Sequence, residues 1–177
     1  QLLVADPDTD RIDSIQVSKG EDEVKLQRAG KDFVVQSLQS YPASVREVNS
    51  LIRAVFGIRC DAEVSRDSSA HAELGVAEDS EDATVARFFD TDGKEVVGVV
   101  VSESKDGAQY ARLVGQEAVF RTEASVYVRS KGLDFVDKKL VEIPRDRIEK
   151  VAVVPSEGVV YSIVSPEAGT VELQAIP

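Results

Sequence analysis

The chain has 177 residues, of which 42% are hydrophobic, and a chain of this size can bury about 70% of its unfolded surface without a metal or disulfide. Its 32 acidic and 21 basic residues give a net charge of −11, which repels polyanions and argues against nucleic-acid binding. Cys60 is the only cysteine, so an intrachain disulfide and a thiolate metal cluster are both excluded. We expect Cys60 to be a buried, inert thiol.

The first strand signals lie near the N-terminus. Residues 12–17, 24–26 and 33–35 are alternating apolar runs, separated by polar turns at residues 18–22 and 29–32. This pattern predicts a three-stranded antiparallel meander with one face in the core.

The next segment predicts an amphipathic helix. Ser44 and Glu47 have the spacing of a capping box, and Gly57 is a typical helix end. Apolar side chains recur between them at helical spacing. They are Val45, Val48, Leu51, Ile52, Val55 and Phe56. We expect this apolar face to be buried against the sheet.

Residues 61–83 are rich in Asp, Glu, Ser and Ala, which predicts an exposed, mobile loop. Four strand signals follow, joined by turns at residues 90–93, 104–108 and 115–116, and they predict a second antiparallel meander. The strand signals are residues 84–90, 95–103, 109–114 and 118–122.

Residues 122–132 predict a short helix, with Thr122 as its cap and Gly132 as its end. Residues 134–143 then lead to the final strands.

An internal similarity suggests a repeat. Residues 10–17 resemble residues 146–153, and both segments continue as strand, turn and strand. We therefore predict a first α+β unit over residues 1–145 and the initial strands of a second repeat over residues 146–177. Equivalent strand phase would turn Ile148, Val151 and Val153 to the core, as for the first copy. The predicted fold class is α+β, with antiparallel β-meanders and one main amphipathic helix packed on the sheet.

These elements together resemble the bacterial family known as domain of unknown function 4340. The resemblance is carried by the following segments, all quoted in this chain's numbering. They are the strand at residues 12–17 with Phe33, residues 48–51 in the helix, Leu74-Gly75, residues 110–113 with Gly115 and residues 119–121, and residues 137–140 leading to residues 146–148.

The resemblance implies an N-terminal membrane helix, an extracytoplasmic position and association with ABC transporter components of the gliding-motility type. The family has no established activity and no agreed catalytic residues. The chain begins at Gln1 and contains no Met, so we expect an upstream signal peptide, membrane anchor or artificial boundary.

His71, the only histidine, lies beside Ser68, Ser69 and Glu73. A catalytic nucleophile–histidine–acid arrangement uses side chains of these three kinds. Hydrolase nucleophiles sit on rigid turns, however, and this loop is polar. We therefore interpret His71 as a solvated loop histidine.

Asp6, Asp8 and Asp10 have the spacing of the first ligands of a calcium loop. Arg11 and Val17 stand where that loop requires Gly and Glu, so a turn leading into a strand is the preferred interpretation.

Asp90 and Asp92 also suggest a metal-binding turn, but hairpin chemistry accounts for them. Gly98 stands alone in a Val-rich strand, which indicates a bulge or close packing.

We assign no catalytic, cofactor-binding or metal-binding residue and expect no cofactor. The leading hypothesis is a non-enzymatic, membrane-anchored interaction module on the periplasmic side, whose partner is a cell-envelope protein such as an ABC transporter component. Nucleic acid is not expected, and membrane contact is expected only through the N-terminal helix. The alternatives are an envelope-polymer or small-ligand binding domain, and a hydrolase that uses acidic residues. The absence of Trp leaves few aromatic platforms for sugars.

Overall fold

The computed structural model describes residues 1–5, 7–138, 147–154, 161–164 and 172–175. The chain divides into two compact units, Gln1–Lys138 and Lys139–Pro177. The predicted boundary after residue 145 lies outside the described residues.

The first unit contains one antiparallel sheet of nine strands in the order β4-β3-β2-β1-β6-β7-β8-β9-β5, and one α-helix. Its elements are β1 (Ser14–Lys19), β2 (Asp22–Ala29), β3 (Asp32–Val35), β4 (Tyr41–Pro42), α1 (Val45–Phe56), β5 (Cys60–Ser65), β6 (Thr84–Phe89), β7 (Glu95–Val101), β8 (Tyr110–Leu113) and β9 (Val119–Thr122). The predicted α+β class is confirmed.

The two predicted meanders join through β1, which pairs with β2 on one side and with β6 on the other. Ile15 lies opposite Leu26, and Val17 lies opposite Val24. All four side chains are buried, because side chains two residues apart share one face of a strand.

Helix α1 covers one face of the sheet with Val48, Leu51, Val55 and Phe56, which are all buried. The Phe56 ring lies 4.8 Å from the ring of Phe88 in β6, measured between centroids. These contacts place the main core between α1 and the central strands.

The predicted buried face of α1 is too wide. Val45 is 55% exposed, and Val45 and Ile52 line a small surface cavity beside Phe33. Ser44 is the N-cap but makes no side-chain capping bond, and the Glu47 carboxylate pairs with Arg46 and Arg129. The predicted capping box is therefore not formed. Gly57 ends the helix as predicted.

The predicted exposed loop at residues 61–83 is wrong in its first part, and its mobility stays a prediction. Its first part is β5, an edge strand paired with β9, and most of its side chains are exposed. An edge strand exposed on both faces has no alternating pattern to detect. Further along, Val76 and Ala83 are buried against β6, β7 and β9. They belong to a second apolar cluster, made of Val76, Ala83, Val85, Val100 and Val119.

The predicted helix at residues 122–132 is also wrong. Residues 123–131, which we call the strap, are not helical, and only a short 3-10 turn follows at Gly132–Asp134. Val128 and Ser130 are buried, whereas Tyr127 and Arg129 are exposed. This two-residue alternation is typical of a strand.

Gly98 marks close packing, as its setting in the sequence indicates. A Cβ at this position would lie 2.6 Å from Val114 Cγ2 and 2.7 Å from Glu95 Oε1. Only glycine lets β7 approach these side chains.

The second unit contains an antiparallel sheet in the order β10-β11-β12, with β10 at Lys150–Val153, β11 at Tyr161–Val164 and β12 at Glu172–Ala175. Strand β10 begins at the position aligned with the start of β1. The predicted burial differs, however: Val151 is 42% exposed where Ile15 is 1% exposed. Among residues 147–154, 161–164 and 172–175 there is no α-helix to cover this meander. The repeat itself stays a prediction.

Within the part of the chain that is described, no helix has the length and apolar character required to span a membrane.

Candidate functional site

A solvent-open cleft of about 570 Å³ lies between the strap and the ends of β1, β6 and β7. Its strand-end wall contains Lys19, Thr84 and Val101. Strand register aligns these three residues, because Thr84 pairs with both Lys19 and Val101. The opposite wall is formed by strap residues 125–128, 130 and 131.

The buried side chain of Gln109 fixes the start of the strap. Gln109 Nε2 donates to Ser102 O at 2.9 Å and to Val126 O at 3.0 Å. Val126 N donates to Gln109 Oε1 at 2.7 Å. The side-chain amide therefore makes the donor-and-acceptor pair of bonds that a neighbouring strand would make to Val126.

Ion pairs fix the other end of the strap. Arg129 pairs with Glu47 of α1, and Lys131 Nζ lies 3.7 Å from Asp22 Oδ2. The hydrogen bond from Arg46, together with the charge of Arg129, lowers the pKa of Glu47 below its ordinary value. Glu47 thus stays ionised as the strap's anchor on α1.

The charged groups of the cleft balance one another. Lys19 Nζ lies 2.7 Å from Glu103 Oε1, and Lys131 pairs with Asp22. Two ammonium groups and two carboxylates leave the lining with no net charge, which favours a neutral polar ligand over an ion. Each carboxylate of the lining already has an ammonium partner.

Apart from the Gln109 amide, the remaining polar side chains of the lining carry hydroxyls. Ser130 is only 7% exposed and lines the cleft, yet its hydroxyl has no hydrogen-bond partner among the described residues. The Ser130 hydroxyl is not one of the enclosed side-chain atoms that lack a partner, so solvent in the cleft reaches it. Ser130 therefore offers a hydrogen bond to whatever occupies the cleft.

Tyr127 stands at the mouth of the cleft and is 80% exposed. A second cavity of about 270 Å³ lies on the other side of the strap, and Tyr127 and Val128 line both cavities. Helix α1 contributes Leu51 to the second cavity. The strap thus runs between two depressions, with an exposed aromatic ring between them.

On the opposite face of the sheet, Arg112 holds residues 66–83 in place. Its side chain is buried, and Nε donates to Val76 O at 2.7 Å while Nη2 donates to Glu78 Oε1 at 3.0 Å. Glu78 also pairs with Arg87, which pairs in turn with Glu95 at 2.5 Å. This chain of alternating charges is structural, because it closes residues 66–83 over the second apolar cluster.

The sequence model of the family described as a domain of unknown function (DUF4340) matches residues 34–175 of this chain. The chain belongs to that family. No curated protein and no solved structure matches it. Most of the cleft lining lies within the matched region, whereas Lys19 and Asp22 lie before it.

His71 of this DUF4340 domain lies away from the cleft. Its Nε2 is 2.9 Å from the main-chain oxygen of Glu117. Ser68 and Ser69 belong to a 3-10 turn that the Asp67 carboxylate caps, and the hydrogen bond from Ser69 N lowers the pKa of Asp67. In the described part of the chain, no hydrogen bond joins the His71 ring to either serine or to Glu73.

The aspartates of the proposed calcium spacing are divided. Asp6 lies outside the described residues, Asp8 is the N-cap of a 3-10 turn, and Asp10 belongs to that turn. The turn therefore leads into β1, as the preferred interpretation states. Over residues 1–5, 7–138 and the described parts of the second unit, no group of three His, Cys, Asp or Glu side chains could hold a metal ion.

Asp90 closes the β6–β7 hairpin, as expected. Its Oδ1 accepts hydrogen bonds from Asp92 N at 3.1 Å and from Lys94 N at 2.9 Å. Chiefly because of the bond from Lys94 N, the pKa of Asp90 is lowered.

Sequence reasoning missed the cleft. Val126-Tyr127-Val128 is a β-branched and aromatic run with strand-like alternation, and this signal could have identified the strap. Nothing in the sequence placed Gln109 or Ser130 beside it, because both act through residues distant in the chain.

Proposed function

We propose that this DUF4340 domain is a non-enzymatic interaction domain that stands on the periplasmic side of the cytoplasmic membrane. In this proposal, a helix ahead of Gln1 anchors it, and its partner is an envelope protein of the ABC transporter type. The membrane and transporter context rests on what the family resemblance implies; the match itself covers residues 34–175. The observation that carries the interaction role is the exposed ring of Tyr127 between two cavities.

Tyrosine and arginine are enriched at the centres of protein interfaces, because each offers a large contact area with a polar tip. Tyr127 and Arg129 share the outer side of the strap, since residues two apart in a strand-like segment point the same way. The adjoining cavities can accept side chains of a partner. The net charge of −11 favours association with a basic surface.

Photo-crosslinking in cells tests this proposal. Tyr127 is replaced by p-benzoylphenylalanine in the full-length, membrane-anchored protein, and Tyr41 of the edge strand β4 is replaced in the matched control. We expect a transporter or other envelope protein to crosslink from position 127 and not from position 41. Crosslinking from neither position, or equally from both, would contradict the assignment of the interface.

Accessibility of an engineered cysteine tests the location. Cys60 is buried, and burial raises the pKa of its thiol, so it reacts slowly while the protein is folded. We expect Ser69→Cys in the full-length protein to react with a membrane-impermeant maleimide while the cytoplasmic membrane is intact. Labelling that requires rupture of that membrane would contradict a periplasmic location.

A second function is favoured by the cleft itself. Its volume of about 570 Å³ falls within the range of small-ligand sites, roughly 300–1,000 Å³, and the Ser130 hydroxyl lacks a partner among the described residues. An envelope polymer or a small polar molecule could occupy it. Soluble peptidoglycan fragments should then raise the melting temperature by mass action, and no shift at millimolar concentrations would count against this function.

A further inference from the structure

The main chain of the strap is open at residues 127–130. No backbone hydrogen bond joins these four residues to any part of the chain that the structure describes. Val128 and Ser130 are nevertheless buried. Main-chain N–H and C=O groups are paired in nearly all native proteins, with protein, water or a ligand, so this run has hydrogen-bonding capacity that the described chain does not use.

Gln109 indicates what kind of group fits beside the strap. Its side-chain amide both donates to and accepts from Val126, as a peptide unit of a neighbouring strand would. At Val126 the Gln109 side chain thus takes the place of a neighbouring strand. The main-chain groups of the next four residues have no main-chain partner in the described chain. The strap's side chains alternate between inside and outside. In such a strand-like segment the main-chain groups point alternately to the two edges, so those of Val128 and Ser130 share the edge that Gln109 occupies at Val126.

We propose that an extended peptide segment of a partner protein binds in the cleft as an added β-strand, paired with strap residues 127–130. This inference rests on the proposed interaction function and names the form of the partner. Four residues of strand span about 13 Å, so the bound segment pairs over about four to five residues.

The lining determines which side chains the segment carries. Lys19 and Glu103 neutralise each other, as do Lys131 and Asp22, so a charged side chain finds no unpaired counter-ion in the lining. The Ser130 hydroxyl offers a hydrogen bond inside the cleft. The segment is therefore expected to be rich in uncharged polar residues, above all threonine, which also favours strands.

A glycan is the competing occupant. Sugar hydroxyls could bond to Ser130 and could stack on Tyr127, but a sugar lacks N–H donors repeated at strand spacing. The unused main-chain groups of the strap favour the peptide.

Selection from a phage-displayed random dodecapeptide library tests the inference on the whole chain. We expect enrichment of one extended, uncharged polar motif. N-methylation of the selected peptide should weaken binding about tenfold at alternate positions and little at the positions between them, since each affected position loses one hydrogen bond. No enriched motif, or sensitivity to N-methylation without a two-residue period, would overturn the proposal.

Hydrogen exchange locates the bound peptide. The amides of Val128 and Ser130, which lie on the edge of the strap that Gln109 occupies at Val126, should exchange rapidly in the free chain and at about one tenth of that rate or less with saturating peptide. Protection confined to the β5 edge, or protection of the strap by soluble glycan fragments with no effect of peptide, would also overturn the proposal.

A blocking variant with a matched control completes the test. Ser104 is exposed at the cleft and Ser69 is exposed on the loop outside it. Ser104→Trp should weaken peptide binding about tenfold or more, and Ser69→Trp should not. Both variants should keep the wild-type circular dichroism spectrum. Equal effects of the two variants would place binding elsewhere.

The two proposals can fail separately. If position 127 crosslinks an envelope protein but no peptide binds, the interaction function stands and strand addition is wrong. If peptides bind in the cleft but the full-length protein crosslinks to nothing in cells, peptide binding by the cleft is confirmed and the proposed function is wrong.

Discussion

The attachment of residues 66–83 to the sheet depends on Arg112, and Arg112→Met should release it. Methionine keeps the length of the side chain but removes the donors to Val76 O and to Glu78. The buried carbonyl of Val76 then lacks a partner, at a cost of about 1–3 kcal/mol. The lost bond to the partly exposed Glu78 adds about 1 kcal/mol at most.

The total of about 1–4 kcal/mol raises the population of the open loop roughly 5- to 700-fold, at 1.4 kcal/mol per factor of ten. A glutamyl endopeptidase measures this population, because Glu73, Glu78 and Glu81 lie within the segment. When opening and closing are fast relative to cleavage, the cleavage rate follows the open population.

Arg121→Met is the matched control. Arg121 lies on the neighbouring strand β9, and its ion pair with Asp61 is largely exposed, so its loss should change the cleavage rate by a few-fold at most. Rapid cleavage of the wild-type segment, or equal acceleration by both substitutions, would refute the argument that Arg112 holds it.

Three further changes test the fold. Leu51→Ala in the core should lower the free energy of unfolding by about 2–5 kcal/mol. Val45→Ala on the exposed side of α1 should change it by about 0.5 kcal/mol or less. Urea denaturation of the two variants measures this difference, and equal effects would contradict the observed helix phase. Gly98→Ala should cost about 1–3 kcal/mol through the clash with Val114, and a neutral result in thermal unfolding would show that this contact relaxes freely. The pKa of Asp90 is lowered in the folded chain. The stability that its ionised carboxylate contributes is therefore complete above the ordinary pKa of about 4, and it is lost as the pH falls through the lowered pKa. The stability difference between wild type and Asp90→Asn should therefore shrink in acid, and a difference independent of pH would contradict this role.

Patterns that repeat over short distances were sufficient to predict much of the first unit. The alternation around Ile15 and Val24 predicted the first meander, and the spacing of Val48 to Phe56 predicted α1. One buried face imposes a period of 2 on a strand and of 3.6 on a helix. Such periods are visible in the sequence because the burial that causes them extends over several consecutive residues.

The candidate site was decided by tertiary structure alone. Thr122 and Gly132 have helix-boundary character, but Gln109 and the ion pair of Arg129 hold the residues between them as the strap. Likewise Arg112, more than 30 residues away in the chain, makes a packed cover of a segment whose composition indicates a loop.

The physical reason is common to both errors. Hydrogen bonds and ion pairs to distant residues can outweigh local propensities of a few tenths of a kcal/mol per residue. A sequence pattern records the local preference, whereas the partner that overrides it becomes a neighbour only when the sheet has formed.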